Sequence, residues 1–501
     1  MVTASSYQQA IWAHLRTPDH GVVEALAGTG KTTTLVQGLE HLPGRAVLYT
    51  SFGRDIVSEL KAVVPAGRAH VQTLNGAGQA LILRHIRPAN RDPDRYKLHR
   101  HVKAALKAAG ISTKTPEGKD STLVKDLAEA ASWAKAFMMA TPAAAAGALR
   151  RFDVRIPRGA PAPLLGGPDE TETESLPPAA ELDGQLLIDV LNRCATDTTS
   201  FDFDDQVWLP LVWNLPFQSY DDVLVDEAQD LTFAQLTFTR QLARTGRILA
   251  VGDRHQALYG FRGADSDAMG RIVSGLSAKT LPLPICYRCG TDIVKEAQAY
   301  VPALQPAPGA PPGLVQRMKL EDLVEMVEPG DFVLSRTNAP LARIGADIKM
   351  AGKPILQLGK DMSVKLLDLL RRSKQSKVDD LKAWLTNYLA KRTAELAEDK
   401  DALDDVKDTV ETVLAFTAGH KHGMVSAIAE EIRALYSDDA RSNAVVLSTV
   451  HRAKGKQAQR VYLVWGTFLK RPGTAERSIA YVATTRAQSE LYFVDGDVSK
   501  S

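Results

Sequence analysis

The chain has 501 residues, with 61 Lys and Arg against 59 Asp and Glu, a formal net charge of +2 and 45% hydrophobic side chains. That length holds about two to four domains with real cores, and the charge balance excludes a uniformly basic coat, so any nucleic-acid surface has to be local. Three cysteines (Cys194, Cys286, Cys289) exclude a disulfide framework. With no leader pattern at the N-terminus and no apolar run near the ~20 residues of a membrane span, they predict a soluble cytoplasmic protein.

Residues 5–20 open as a capped amphipathic helix containing Gln8. A Gln just ahead of a phosphate loop offers adenine a donor and an acceptor together; alone, it reads as a surface helix residue. The apolar run Val22-Val23 then leads into Ala25-Leu26-Ala27-Gly28-Thr29-Gly30-Lys31-Thr32 and an apolar helical stretch. This is the strand–loop–helix context of a P-loop, in which Gly28 and Gly30 let successive N–H groups face a phosphate and the new helix adds its positive end. Lys31 is placed for the β- and γ-phosphates and the Thr32 hydroxyl for Mg²⁺. Ala25 stands where the strict pattern has its first glycine. The bland alternative is a Gly-rich turn before an ordinary helix; the Lys-Thr pair and the downstream motifs favour a nucleoside triphosphate.

A second buried strand spans 45–49, followed by Thr50-Ser51-Phe52-Gly53-Arg54, a helix over 56–64 and a strand over 69–73 running into Thr73-Leu74-Asn75-Gly76. Strands alternating with helices predict a parallel, doubly wound sheet. Ligands of such sheets sit at the carboxyl ends of the strands, the expected place of Phe52 and Thr73. Residues 84–158 turn helical and Ala-rich, with sixteen Lys and Arg against seven Asp and Glu. They read equally as a solvated insertion or as a surface tracking a nucleic-acid backbone. The Pro-, Gly- and acid-rich stretch 157–183 reads as a loop or linker.

Sheet character returns at Asp222-Val223-Leu224-Val225-Asp226-Glu227-Ala228-Gln229-Asp230, an apolar strand ending in carboxylates. Asp226 suits Mg²⁺, and Glu227 suits orienting or deprotonating a water. The strand 247–251 continues into a Gly- and Arg-flanked loop with Gln256, a hydrogen-bonding partner for a γ-phosphate or its water, and with Tyr259 and Phe261, flat faces for unstacked bases. The stretch 281–290 carries Tyr287-Arg288. Cys286-x-x-Cys289 is weak evidence for a metal because no second ligand pair is spaced for it. Strands are expected at 331–335, 445–449, 460–465 and 490–494, a mainly helical subdomain at 361–440, and a helix over 478–487 presenting Arg486.

Taken together these stretches resemble the superfamily 1 helicases of the UvrD/Rep/PcrA type. The matching residues are Gln8, Ala27 to Thr32, Asp226 to Asp230, Gly252-Asp253 with Gln256, and Tyr259 to Ala264. They continue with Tyr287-Arg288, Arg336-Thr337-Asn338, Thr449, His451, Ala453-Lys454-Gly455, Tyr481-Val482-Ala483 and Thr485-Arg486-Ala487, in the family's order across residues 8–487. The resemblance implies an α/β fold of two RecA-like lobes with parallel sheets, each interrupted by a mainly helical insertion. These would be 1–86 with 199–282 around 87–198, and 283–355 with 441–501 around 356–440. It implies ATP with Mg²⁺ in the cleft between lobes, Arg288 and Arg486 completing the γ-phosphate site, and Tyr287 stacking on adenine. It also implies single-stranded DNA along Phe52, Thr73, Asn75, Tyr259, Phe261, Asn338, Thr449 and His451. Thr33 stands where relatives often place an adenine-sandwiching Arg, Gln457 where a family Glu contacts the ribose, Asn75 where a His lies beside the DNA, and Cys286 where an Asn precedes Tyr-Arg. The second insertion is far smaller than the regulatory subdomain of UvrD.

The expected activity is a monomeric ATP-driven DNA helicase or translocase acting on single-stranded and tailed duplex DNA, 3′→5′ by subfamily resemblance. The rival is a motor subunit of a repair, phage-replication or anti-phage defence complex that unwinds little alone. A nucleic-acid-binding scaffold with a dead ATPase is argued against by the presence of Lys31, Asp226, Glu227, Gln256, Arg288 and Arg486.

Overall fold

The computed structural model describes residues 4–44, 46–51, 53–86, 91–114, 121–151, 154, 178–257, 268–395, 400–420, 423–437, 443–468 and 474–496. The chain divides into two compact units, residues 1–24 with 31–283 and residues 25–30 with 284–501.

In the first unit a six-stranded sheet runs in the order β3-β2-β4-β5-β1-β6. The strands are β1 (Gly21–Ala25), β2 (Val47–Ser51), β3 (His70–Thr73), β4 (Asp222–Val225), β5 (Arg247–Gly252) and β6 (Lys279–Leu283). The pairs β3/β2, β2/β4, β4/β5 and β5/β1 are parallel. Strands β2, β4 and β5 are buried along their whole length, which is why they read as continuous apolar runs. The register sets Ser51 opposite Thr73, Thr50 opposite Val225, Val225 opposite Ala250 and Glu24 opposite Gly252. All five carboxyl ends therefore open on one edge. Val22, Leu48, Val223, Val225, Ile248 and Ala250 form a core with Leu74, Leu81 and Phe238.

The first helix, Ser6–His14, starts with a capping box in which Ser5 and Gln8 satisfy each other's backbone N–H. It ends ahead of Pro18, which has no N–H to offer and disfavours helix before it. Between β3 and β4 the helices Lys97–Ala108, Thr122–Ala136, Pro142–Arg151 and Pro178–Thr196 build a separate apolar core around Val102, Leu106, Leu127, Ala131, Leu187 and Val190. The last of these starts inside the expected 157–183 loop, with Pro178 in its first turn, where proline fits a helix. Residues 157–177 of that loop lie outside the described residues.

The second unit holds a two-stranded ribbon, β7 (Ile285–Cys286) with β8 (Gln305–Pro306), and a seven-stranded sheet. The sheet consists of β9 (Leu314–Lys319), β10 (Phe332–Ser335), β11 (Ile355–Leu358), β12 (Tyr436–Ser437), β13 (Val445–Thr449), β14 (Ala458–Val464) and β15 (Ala487–Asp495). Its order is β12-β11-β13-β10-β14-β15-β9, with every pair parallel. Between β11 and β12 the helices Lys360–Ser373, Val378–Glu395, Lys400–Thr417 and Val425–Leu435 close a core of their own around Leu366, Leu381, Val410, Val413 and Ile428. Among the described residues no helix is long and apolar enough to cross a membrane.

Candidate active site

The P-loop glycines justify themselves by conformation: Gly28 has φ +69° and Gly30 φ +74°, a region that side chains bearing a Cβ avoid. The Thr29 hydroxyl donates to the Leu26 carbonyl at 2.8 Å and closes the turn. The helix Lys31–Gly38 follows at once, so its unpaired N–H groups lie at the loop.

In the first unit Lys31 Nζ lies 3.0 Å from Glu227 Oε1. The Thr32 hydroxyl makes a long 3.4 Å contact with Asp226 Oδ2, which the Tyr49 hydroxyl also approaches at 3.4 Å. Burial, with Glu227 beside it, raises the Asp226 carboxyl to about 6, and burial raises Asp253 as well. Burial opposes the charge on Lys31, but Glu227, Asp226 and Asp253 outweigh it and hold the ammonium above its ordinary value. Glu227 takes a left-handed backbone conformation, φ 55° and ψ 40°, uncommon for a residue with a side chain. Beyond β5, Gln256 Nε2 donates to Asp253 Oδ2 at 2.7 Å. Lys31, Thr32, Asp226, Glu227 and Gln256, scattered over 226 positions of sequence, are thus assembled at the carboxyl edge of one parallel sheet.

A buried carboxylate that resists ionisation, beside a hydroxyl and a second carboxylate, is the oxygen donor set that a hard divalent cation takes. Among the described residues no group of three or more His, Cys, Asp or Glu side chains makes a ready-made metal cage. One carboxylate and one hydroxyl, Asp226 and Thr32, are the side-chain oxygens that could share a divalent cation there.

Both ends of the Gln8 carboxamide are engaged: Oε1 accepts from the Ser5 backbone N–H at 2.9 Å, and Nε2 donates to the Thr34 hydroxyl at 3.0 Å. Thr33 is exposed on the same helix. Thr73 caps the helix Leu74–His85 by accepting from Gly76 N–H at 3.0 Å. Asn75 Nδ2 donates at 2.9 Å both to the Phe203 carbonyl and to Gln206 Oε1. Phe52, Tyr259 and Phe261 lie outside the described residues.

The second unit separates its predicted residues by edge. Ser335 is in register with Thr449, so Thr449 ends β13, and Asn338 and His451 lie just past the carboxyl ends of β10 and β13. Ala458 is in register with Ala487, so Gln457, which is exposed, and Arg486 precede the amino ends of β14 and β15. Arg486 does not project from a helix as expected. The helix Thr474–Thr484 ends before it, and its guanidinium is buried, donating to the Val482 and Lys456 carbonyls at 2.9 and 3.1 Å and to the Thr485 hydroxyl at 3.2 Å. Arg288 Nη1 donates to the Thr485 carbonyl at 3.1 Å, while Tyr287 is 39% exposed, which leaves its ring face available for stacking. Asn338 is held by Asp408 of the helix Lys400–Thr417, whose carboxylate accepts from Asn338 N–H and Nδ2 at 2.7 Å each. All three cysteines are free thiols and buried.

Residues 198–274 match the UvrD/REP helicase N-terminal domain, and residues 444–494 match the UvrD-like helicase C-terminal domain. Two separate stretches of the chain thus resemble the two domains of the UvrD-like helicases. The first matched stretch contains Asp226, Glu227 and Gln256, and the second contains Thr449, His451, Gln457 and Arg486; the P-loop precedes both. Relatives include the F-box DNA helicase protein 1 of Schizosaccharomyces pombe, 24% identical over 94% of this chain and 55% of that protein. DNA helicase II of Escherichia coli is 33% identical over 19% of this chain and 14% of its own length. The ATP-dependent DNA helicase PcrA of Leuconostoc citreum is 36% identical over 20% and 15%. The chain thus spans about half the length of the yeast relative and a smaller share of the bacterial ones.

Two further residues carry no role in the sequence reading, one beside Glu227 and one beside Asn75. Gln229 sits inside the quoted Asp-Glu-Ala-Gln-Asp run. Phe203, 49% exposed, was signalled by the run Phe201-Asp202-Phe203-Asp204-Asp205, where an aromatic alternates with carboxylates. The insertion's exposed basic excess is smaller than its composition, because Lys97 and Lys135 are fully buried. Lys135 Nζ lies 2.7 Å from Asp202 Oδ2 and 2.8 Å from Asp205 Oδ1, and Lys97 Nζ lies 2.7 Å from Asp205 Oδ2.

Proposed function

We propose that this chain hydrolyses ATP to move along single-stranded DNA, 3′→5′, and to displace the complementary strand of a tailed duplex. The observation that carries this reading is the joining of part-buried Lys31 and Glu227 with buried Asp226 in one charge cluster at the mouth of a phosphate loop. In this reading Ala27 to Thr32 cradle the phosphates, and Lys31 balances the β- and γ-phosphate charge. Glu227 orients the attacking water and draws its proton away, and Gln256 hydrogen-bonds the γ-phosphate or that water. Thr32 and Asp226 would hold Mg²⁺, which supplies charge neutralisation on the phosphate oxygens. Tyr287 stacks on adenine, Thr33 and Gln457 border the base and sugar, and Arg288 and Arg486 add positive charge as phosphoryl transfer proceeds. Gln8 acts by anchoring the first helix to Thr34 on the P-loop helix.

The strand is assigned to Thr73, Asn75, Asn338, Thr449 and His451 with the aromatic rings of Phe52, Tyr259 and Phe261, and Phe203 beside Asn75 joins them. The similarity to UvrD-like helicase domains and to DNA helicases supports DNA as the track. The test is ATP turnover with and without single-stranded DNA, run beside strand displacement on 3′-tailed and 5′-tailed duplexes. The expected result is turnover stimulated by single strands and displacement of the 3′-tailed substrate. Stimulated turnover without displacement assigns the chain to a partner-dependent motor. Equal turnover with and without DNA overturns the motor reading.

A further inference from the structure

Gln229 is 1% exposed, and its carboxamide is used at both ends. Nε2 donates to Glu227 Oε2 at 2.5 Å, and Oε1 accepts from the Asp253 backbone N–H at 3.1 Å. Asp253 in turn accepts from Gln256 Nε2 at 2.7 Å and from His255 N–H at 3.0 Å. The other oxygen of Glu227 faces Lys31. Gly252 accommodates the bridge: a Cβ there would sit 2.4 Å from Gln229 Oε1, so the end of β5 can approach the carboxamide only without a side chain.

We propose that Gln229 is a positioning residue for ATP hydrolysis, holding the Glu227 carboxylate at a set angle and tying it to the Asp253–Gln256 turn so that the two water-facing groups move together. This rests on the ATPase reading above. The chemistry is specific. The position requires a donor toward a carboxylate and an acceptor toward a backbone N–H, on a side chain of glutamine length. Asparagine is too short, methionine fills the space with neither group, and glutamate meets both demands only when protonated. Glu227 depends on such a tether because its left-handed backbone puts it in a sparsely populated conformation that its surroundings must maintain.

Two variants test it, with single-stranded DNA present throughout. Gln229→Met keeps volume and should melt within a few degrees of the parent, hold ATP with nearly unchanged KM, and lose on the order of 10–100-fold in kcat, the scale of a misplaced catalytic group. Gln229→Glu should be poorly active at pH 8, where two carboxylates would meet, and should recover relative to the parent as the pH is lowered toward 6 and the new acid takes a proton. The charged groups around that position are Glu227 on its own turn, Lys31 from the P-loop helix, Asp226 after β4 and Asp253 after β5, while the helix Ala268–Leu276 presents the uncharged Met269. Because the parent carries the same four charged groups, the ratio of the two pH profiles isolates position 229. A Gln229→Met chain with parental kcat overturns the proposal, as does a Gln229→Glu profile parallel to the parent's. If Gln229→Met fails to fold, the Gln229→Glu ratio decides alone. A parent chain with no DNA-stimulated turnover overturns the ATPase reading itself and the proposal with it, an outcome distinguishable from failure of either variant.

Discussion

Lys31 Nζ and Glu227 Oε1 stand 3.0 Å apart, with side-chain exposures of 14% and 21%. The pair joins the first residue of the P-loop helix to the residue that follows Asp226 at the end of β4. Lys31→Ala should abolish measurable ATP turnover and weaken nucleotide binding, because it removes the cation facing the phosphates. Glu227→Gln should bind ATP at near-parental affinity and lose turnover, because a carboxamide is not a base. Titration with a fluorescent ATP analogue beside a phosphate-release assay checks both. Turnover surviving in Glu227→Gln would remove Glu227 from the chemistry.

Lys135 is sealed between Asp202 and Asp205. Lys135→Ala should therefore cost about 3–5 kcal/mol, the usual penalty for leaving buried charge uncompensated. Urea unfolding measures it. The companion expectation concerns DNA: Lys107→Ala, at an exposed position of the same insertion, should make the salt dependence of single-strand binding shallower if the insertion follows the backbone, since only an exposed cation releases counterions there. An unchanged slope for a set of exposed lysines would return the insertion to a purely structural role.

His451 supplies the pH dependence. Burial, reinforced by Arg336, Lys454 and Arg452, lowers its imidazole from 6.5 to about 4. The unfolded chain binds the proton at the ordinary value, so stability falls as the pH drops from 6.5 toward 4 and this contribution is constant below. At pH 5 the loss amounts to as much as about 2 kcal/mol. Unfolding curves at pH 7 and pH 5 should converge by that amount in His451→Gln. Identical pH dependence in parent and variant would show that His451 is not held neutral.

The aromatic residues should separate stacking from phosphate contact. Replacing Tyr259, Phe261 or Phe203 by Ala should each cost about 1–3 kcal/mol of single-strand affinity if the ring stacks on a base. The salt slope should stay the same, because stacking displaces no counterions. Phe203 is the sharper case, since it lies on the protein surface beside Asn75. Fluorescent-oligonucleotide titrations at several salt concentrations give both quantities. A Phe261→Ala chain that binds normally and melts at lower temperature would place Phe261 in a core.

The amino-acid sequence by itself determined the alternation of strand and helix, the P-loop, the acidic end of β4 and the order of the motifs. These depend on local rules: apolar runs for doubly buried strands, glycine where φ is positive, and carboxylates where a strand ends. Only the tertiary structure decided what each polar side chain does with its second hydrogen bond. Gln8 is committed to Ser5 and Thr34, Asn338 to Asp408, and Arg486 to carbonyls around the amino ends of β14 and β15. Lys97 and Lys135 look like surface cations in a basic stretch and are buried counter-ions. Gln229 looks like one more residue of an acidic run and bridges two loops. Residue type and spacing say which donors and acceptors a segment carries. Which of them face each other depends on the parallel register that brings residues tens to hundreds of positions apart to one edge, and that register is a property of the packed sheet.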